Sequence, residues 1–104
     1  MKKNTKKIVL ENFCNLSEIN NQMISFCRVL ADPTRFKIVN LLRNGSLPVQ
    51  EIASNLKKTN SNISHQLRLL RLKNVVDVKQ VANFRLYELT QSFHQRLSSF
   101  LKEY

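Results

Sequence analysis

The sequence predicts a mainly helical chain with one β-hairpin late in its length, and three observations predict it. Glycine occurs once and proline twice in 104 residues, so tight turns are few. Apolar residues recur at helical spacing through most of the chain, whereas residues 75–89 switch to β-branched residues and strand-like spacing. Two short helical patterns meet across a polar turn at residues 57–60, as in a pair of helices packed at an angle.

A length of 104 residues is that of one domain, and 42 % hydrophobic residues suffice for a small core. Further burial in a homodimer would help so small a core. Residues 1–7 carry four lysines and nothing to bury, so they are expected to form a disordered basic arm before a single domain at 8–104. Seventeen Lys and Arg against seven Asp and Glu give a net charge of +10, which makes a polyanion the expected partner. The excess is concentrated: seven cations and one acid, Asp77, lie between Lys57 and Arg85. No apolar run approaches a membrane span and no apolar signal core opens the chain, so a cytoplasmic protein without a membrane partner is expected.

From Ile8 to about Leu30 the apolar residues Leu16, Ile19, Met23, Phe26 and Leu30 form a narrow helical seam suited to another helix. Asp32 can cap the next helix and Pro33 suits its first position. That helix carries Phe36, Ile38, Val39, Leu41 and Leu42, enough apolar surface to mark it as the centre of the core, and it stops at Gly45. The last helix starts at Thr90, an expected cap, and presents Phe93, Leu97, Phe100, Leu101 and Tyr104 on one face. Leu16, Ile19 and Met23 of the first helix and Phe93, Leu97, Phe100 and Leu101 of the last are therefore expected to form a dimer interface.

Residues 48–73 hold the stretch around which the rest is arranged. Ile52, Ala53 and Leu56 give a short helix its inner face, residues 57–60 turn, and Ile63, Leu67 and Leu70 form the packing stripe of a second helix. Between these apolar positions stand Asn62, Ser64, His65, Gln66, Arg68 and Arg71, with Lys58, Thr59 and Ser61 at the turn. Such side chains can read base edges or hold phosphates, and the pair describes a helix-turn-helix. Strands at 75–80 and 84–89 then form a hairpin joined across Val81, Ala82 and Asn83, with Lys79, Gln80, Asn83 and Arg85 near its tip. A hairpin directly after a recognition helix is a wing, able to touch backbone or minor groove. The wing lacks a tip glycine, so Asn83 is expected to take the left-handed conformation. The predicted architecture is a winged helix-turn-helix of order α-α-α-α-β-β-α.

Residues 30–35 (LADPTR), 51–53 (EIA) and 61–70 (SNISHQLRLL), with Tyr87 near the end of the wing, resemble the ArsR/SmtB family of prokaryotic winged-helix repressors over about residues 16–90. The resemblance implies a homodimer that binds double-stranded DNA at an imperfect palindrome near a promoter. It also sharpens what is missing. Where metal-sensing members carry a Cys-x-Cys pair, this chain has Ser46, Leu47, Pro48, Val49, Gln50 and Glu51. Where others carry Asp and His at the start of the last helix it has Gln91 and Phe93, and it ends at Tyr104 before the later ligand pair is complete. Neither family metal site is expected, and no cofactor is.

Cys14 and Cys27 stand 13 residues apart, roughly 20 Å along one helix, which excludes a disulfide between them within that helix. Small buried hydrophobes are the expected reading; thiol sensing, or metal binding across a dimer with His94, is the sharper one. No nucleophile with an adjacent base, glycine-rich phosphate loop or paired carboxylates appears, so the chain is not expected to be an enzyme. The expected function is a sequence-specific DNA-binding transcriptional regulator, a repressor. The alternatives are a nonspecific architectural DNA binder and a protein-interaction dimer with an incidental basic surface.

Overall fold

The computed structural model describes residues 21–102, apart from the side chains of Gln22 and Met23. The basic arm, Cys14, Leu16, Ile19 and the Met23 side chain therefore lie outside the described residues. Five helices and one hairpin follow in order: α1 (Asn21–Ala31), α2 (Pro33–Leu42), α3 (Val49–Leu56), α4 (Asn60–Leu72), β1 (Val76–Val81), β2 (Phe84–Leu89) and α5 (Gln91–Lys102). None of these helices is long and apolar enough to cross a membrane.

The start of α2 is as expected. Extended Asp32 accepts the Arg35 amide at 3.0 Å and Pro33 occupies the first helical position, where its missing N–H leaves no donor unpaired. The helix buries Ile38, Val39 and Leu42, but Phe36 is 42 % exposed, contrary to its expected place in the core. At 100° per residue Phe36 lies roughly 110° from the centre of the buried arc, beyond what the neighbouring elements cover. The helix ends earlier than expected, at Leu42, and its last carbonyls are met by turn amides of Arg43, Asn44 and Gly45. Gly45 has φ +148°, and the space around it is open, so backbone conformation rather than crowding favours glycine there.

Leu47 makes a connection with no signal in the sequence pattern. Its amide donates to the Tyr87 carbonyl at 3.0 Å and its carbonyl accepts the Tyr87 amide at 2.8 Å. The segment leading into α3 thus acts as a one-residue strand on the open edge of β2. Helix α3 buries Ile52 and Ala53 and closes with Lys57 in the left-handed region, the Lys58 amide reaching back to Ala53 at 3.0 Å. Helix α4 buries Ile63, Leu67 and Leu70 completely and closes in the same way: Asn74 has φ 65° and the Val75 amide donates to Leu70 at 2.9 Å.

Strands β1 and β2 pair antiparallel from Val76 with Leu89 to Val81 with Phe84. The connection is thus two residues, Ala82 and Asn83, and the left-handed residue is Ala82 (φ 54°), not Asn83. Pairing extends one residue further than the sequence implied, which leaves a two-residue turn. Turns of that length take positive φ at their first position to match the strand twist, and alanine occupies it.

Thr90 joins three elements. Its hydroxyl donates to the Asn74 carbonyl at 2.8 Å and accepts the Phe93 amide at 3.2 Å, while its own amide donates to Val75 at 2.9 Å. It therefore caps α5 as expected and also fixes that helix to the α4–β1 joint. Helix α5 packs on α1 of the same chain. The Phe26 ring lies 5.1 Å from that of Phe93 and 6.1 Å from that of Phe100, with the Arg96 guanidinium 5.9 Å from its centre. Phe93 and Leu97 are buried in this core, so their expected place in a dimer interface is corrected: they contact their own chain. Phe100 and Leu101 stay half-exposed. Cys27 is exposed, against the expectation of a buried small hydrophobe.

Positive φ costs alanine about 1–2 kcal/mol, partly offset by the greater chain entropy that glycine loses on folding. Ala82→Gly is therefore expected to stabilise the fold by about 0.5–1 kcal/mol. Urea unfolding checks it: the midpoint should rise with an unchanged slope, and no rise would mean the turn relaxes without strain.

Candidate nucleic-acid interface

Helix α4 is built by capping and packing rather than by propensity. Its first turn, Asn60, Ser61 and Asn62, is made of poor helix formers. The Thr59 hydroxyl accepts the Asn62 amide at 3.0 Å and starts the helix. The fully buried stripe then fixes which way every other side chain points. Ser61, His65 and Arg68 lie roughly 130–170° from the centre of that stripe and are exposed, as is Leu72 on the same outer side. Asn62 is exposed on one flank. Gln66 is nearer the core, roughly 70° from the stripe, and only half-exposed. Its Oε1 is buried with no hydrogen-bond partner among the described residues. The structure thus separates two neighbours that the sequence placed on one outer face: His65 points fully outward, whereas Gln66 turns partly inward.

The other flank of α4 faces the wing. Asn60 and Ser64 line a cleft of about 410 Å³ with Gln50 at the start of α3 and Asn83, Phe84, Arg85 and Tyr87 of the hairpin. Further along, Ser64, Arg68 and Arg71 line a second cleft, of about 280 Å³, with Arg85 and Tyr87. The Leu47 bridge ties the hairpin to the segment leading into α3, and the Gln80 side chain braces its tip by donating to the Ala82 carbonyl at 3.2 Å. Phe84 at the tip is 61 % exposed and pairs across the turn with exposed Val81. Lys58 at the helix-turn-helix corner is exposed too.

The charges differ in their partners. Lys79 Nζ lies 3.2 Å from Glu88 on the neighbouring strand, so its charge is already matched within the wing. Arg85 stands 5.9 Å from the centre of the Tyr87 ring and, like Arg68 and Arg71, is in no ion pair among the described residues. Sequence reasoning marked Arg68, Arg71 and Arg85 but left Asn60, Gln50 and Tyr87 off the contact surface. Ser64, Arg68 and Arg71 at i, i+4 and i+7 were a visible row. That the hairpin folds back onto that row was not visible. Among the described residues no three His, Cys, Asp or Glu side chains gather to hold a metal.

Comparison with known proteins gives this geometry its family. Residues 32–78, from the start of α2 into β1, match the bacterial regulatory proteins of the arsR family. The transcriptional repressor SdpR of Bacillus subtilis is 31 % identical over 68 residues, covering 65 % of this chain and 76 % of that protein. The chain belongs to the arsR family. Among other members, a SmtB homolog from Synechocystis described as a transcriptional repressor is 35 % identical over 71 residues, 68 % of this chain. The regulator NmtR of Mycobacterium tuberculosis is 44 % identical over 55 residues, 53 % of this chain. The chain spans about half the length of these last two relatives, 54 % and 46 %. These family relatives are regulators of transcription rather than enzymes.

Solved structures agree on the fold. HlyU from Vibrio cholerae superimposes with a TM-score of 0.72 at 21 % identity, over 86 % of this chain and 98 % of that one. A homodimeric winged helix-turn-helix DNA-binding domain from Mycobacterium bovis gives 0.68 at 22 % identity, over 79 % and 76 %. In this arsR-family chain, then, α3 and α4 are the helix-turn-helix and β1–β2 the wing.

Because its hydroxyl is taken up by the cap, Thr59 has a structural task whatever else it touches. Thr59→Ala is expected to lower folding stability by about 1 kcal/mol, and Thr59→Asp to retain it. Thermal and urea unfolding decide this; unchanged stability in the alanine variant would return Thr59 to the contact surface alone.

Proposed function

We propose that this arsR-family chain is a sequence-specific DNA-binding transcriptional repressor acting as a homodimer. One observation carries the reading. The side of α4 opposite its fully buried stripe is exposed, polar and cationic, and it lies beside a wing whose Arg85 has no acidic partner among the described residues. A helix of this kind enters the major groove with its outer side chains against base edges while the wing meets the adjacent backbone or minor groove. The SmtB homolog and SdpR are transcriptional repressors, which supports the sign of regulation.

In this reading Ser61, Asn62, His65 and Arg68 face bases, whereas Lys58, Thr59, Ser64, Lys79, Asn83 and Arg85 contact or position the backbone. Gln66 contributes to bases only if DNA draws its amide outward. Residues 8–104 act as one DNA-binding and dimerising unit, with residues 1–7 as a basic arm in the cytoplasm. A second copy joins through the first and last helices: Leu16, Ile19 and Met23 with the half-exposed Phe100 and Leu101. Two-fold symmetry then places two α4 helices about one DNA turn apart, which calls for an imperfect palindrome.

Selection of bound duplexes from random DNA, followed by affinity measurements on the winner and on scrambled DNA, tests the reading. His65→Ala or Arg68→Ala should cost about 1–3 kcal/mol on the selected site and much less on scrambled DNA. Equal loss on both would reassign the residue to phosphate. No enrichment of any sequence would leave only an architectural binder.

A further inference from the structure

Helix α4 carries a second polar row beside the one that points away from the core. Ser64, Arg68 and Arg71 follow one another along its wing side, and Arg85 and Tyr87, two residues apart on one face of β2, stand opposite. Together they line the cleft of about 280 Å³, room for roughly nine water molecules or for a tetrahedral oxyanion with part of its hydration. No acid lines it. None of its three guanidinium groups is in an ion pair among the described residues, and the wing's nearby carboxylate, Glu88, is engaged by Lys79 instead. Every lining side chain thus offers N–H or O–H donors.

We propose that this cleft is an oxyanion site for a phosphate group, gripped between the recognition helix and the wing. Guanidinium forks pair two N–H groups with two oxygens of one tetrahedral anion, and hydroxyls of Ser64 and Tyr87 can take the remaining oxygens. Stacking of Arg85 over the Tyr87 ring holds one fork in place before any anion arrives. One bound phosphate would offset part of the repulsion among the like charges and tie β2 to α4, so it would set the angle of the wing. The phosphate comes either from the DNA backbone, a source that rests on the DNA-binding reading above, or from a free phosphorylated compound.

The test has two arms on the full chain. In the first, inorganic phosphate is titrated at constant ionic strength against chloride, and the arginine Nε–H signals are followed by NMR. Saturable shifts at Arg71 and Arg85 are expected, lost in Arg71→Gln and in Arg85→Gln but kept in Arg96→Gln, which lies outside the cleft. In the second, Arg71→Gln should weaken binding roughly tenfold on selected and scrambled duplexes alike. It should also reduce the salt slope by about one. A single neutral methylphosphonate at the contacted position should erase the difference between wild type and variant. Phosphate shifts with unaltered DNA affinity would assign the site to a free phosphorylated compound, and success of the DNA arm alone would assign it to the backbone. Failure of both arms overturns the proposal. Phosphate binding by a chain with no affinity for any duplex at low salt would instead sink the functional reading and leave this site standing.

Discussion

The burial of three side chains, Ile63, Leu67 and Leu70, is the constraint from which the rest of the molecule takes its direction. All three have no exposure to solvent. Each is worth about 1.5–3 kcal/mol relative to an exposed position, an upper estimate because unfolded chains already bury some surface. That sum far exceeds what the Asn- and Ser-rich first turn loses in helix propensity. Packing, not propensity, therefore holds α4. A consequence follows for its chemistry: the outward residues are relieved of any duty to stabilise the helix. Polar, short and poorly helix-forming residues can occupy the outer face because the inner face has already decided that a helix forms there.

The joints around α4 convert this direction into a surface. Lys57 and Asn74 both take left-handed conformations at the ends of α3 and α4, and in each case an amide reaches back five residues to close the helix. These two bends set the angle between α3 and α4 and the departure of β1. Thr90 then binds the second bend to α5 through the Asn74 carbonyl, and Leu47 holds β2 from its far edge. The wing is thus fixed at its base from two sides, while its tip, with Ala82, Asn83 and Phe84, is exposed.

Much of this was legible in the sequence, and the reason is local. Asp32 before Pro33 and Thr90 before an apolar stripe are capping signals that act over three or four residues, and each caps the helix it was expected to start. The stripe of α4 and the second strand at 84–89 follow from periodicity alone. The failures share the opposite character. Phe36 belongs to an apolar helix whose arc is wider than its neighbours can cover, and only the assembled fold decides which edge is left out. Phe93 and Leu97 read equally well as core or as interface until α1 is seen lying on them. The Leu47–Tyr87 bridge spans forty residues and leaves no trace in spacing. Gln66 turns partly inward because it adjoins the buried stripe, and Arg71 gains its setting only from the hairpin that folds back beside it.

The distribution of charge partners separates what the fold uses from what it tolerates. Asp32 caps α2 and lies 4.0 Å from the Arg35 Nε, and Glu88 holds Lys79 across the hairpin; both acids stabilise local structure, if modestly, given their exposure. Among the described residues Arg68, Arg71 and Arg85 have no such partner, and they share one cleft. Like charges gathered on one edge repel, and water and salt screen that repulsion without removing it. Had folding alone shaped this edge, a neutral residue at any of the three positions would serve the fold as well or better. Under the proposed function, compensation for the three cations at the meeting of helix and wing comes from outside the chain. A polyanion supplies it most economically, since its phosphates arrive already spaced and the counterions it releases add to the driving force.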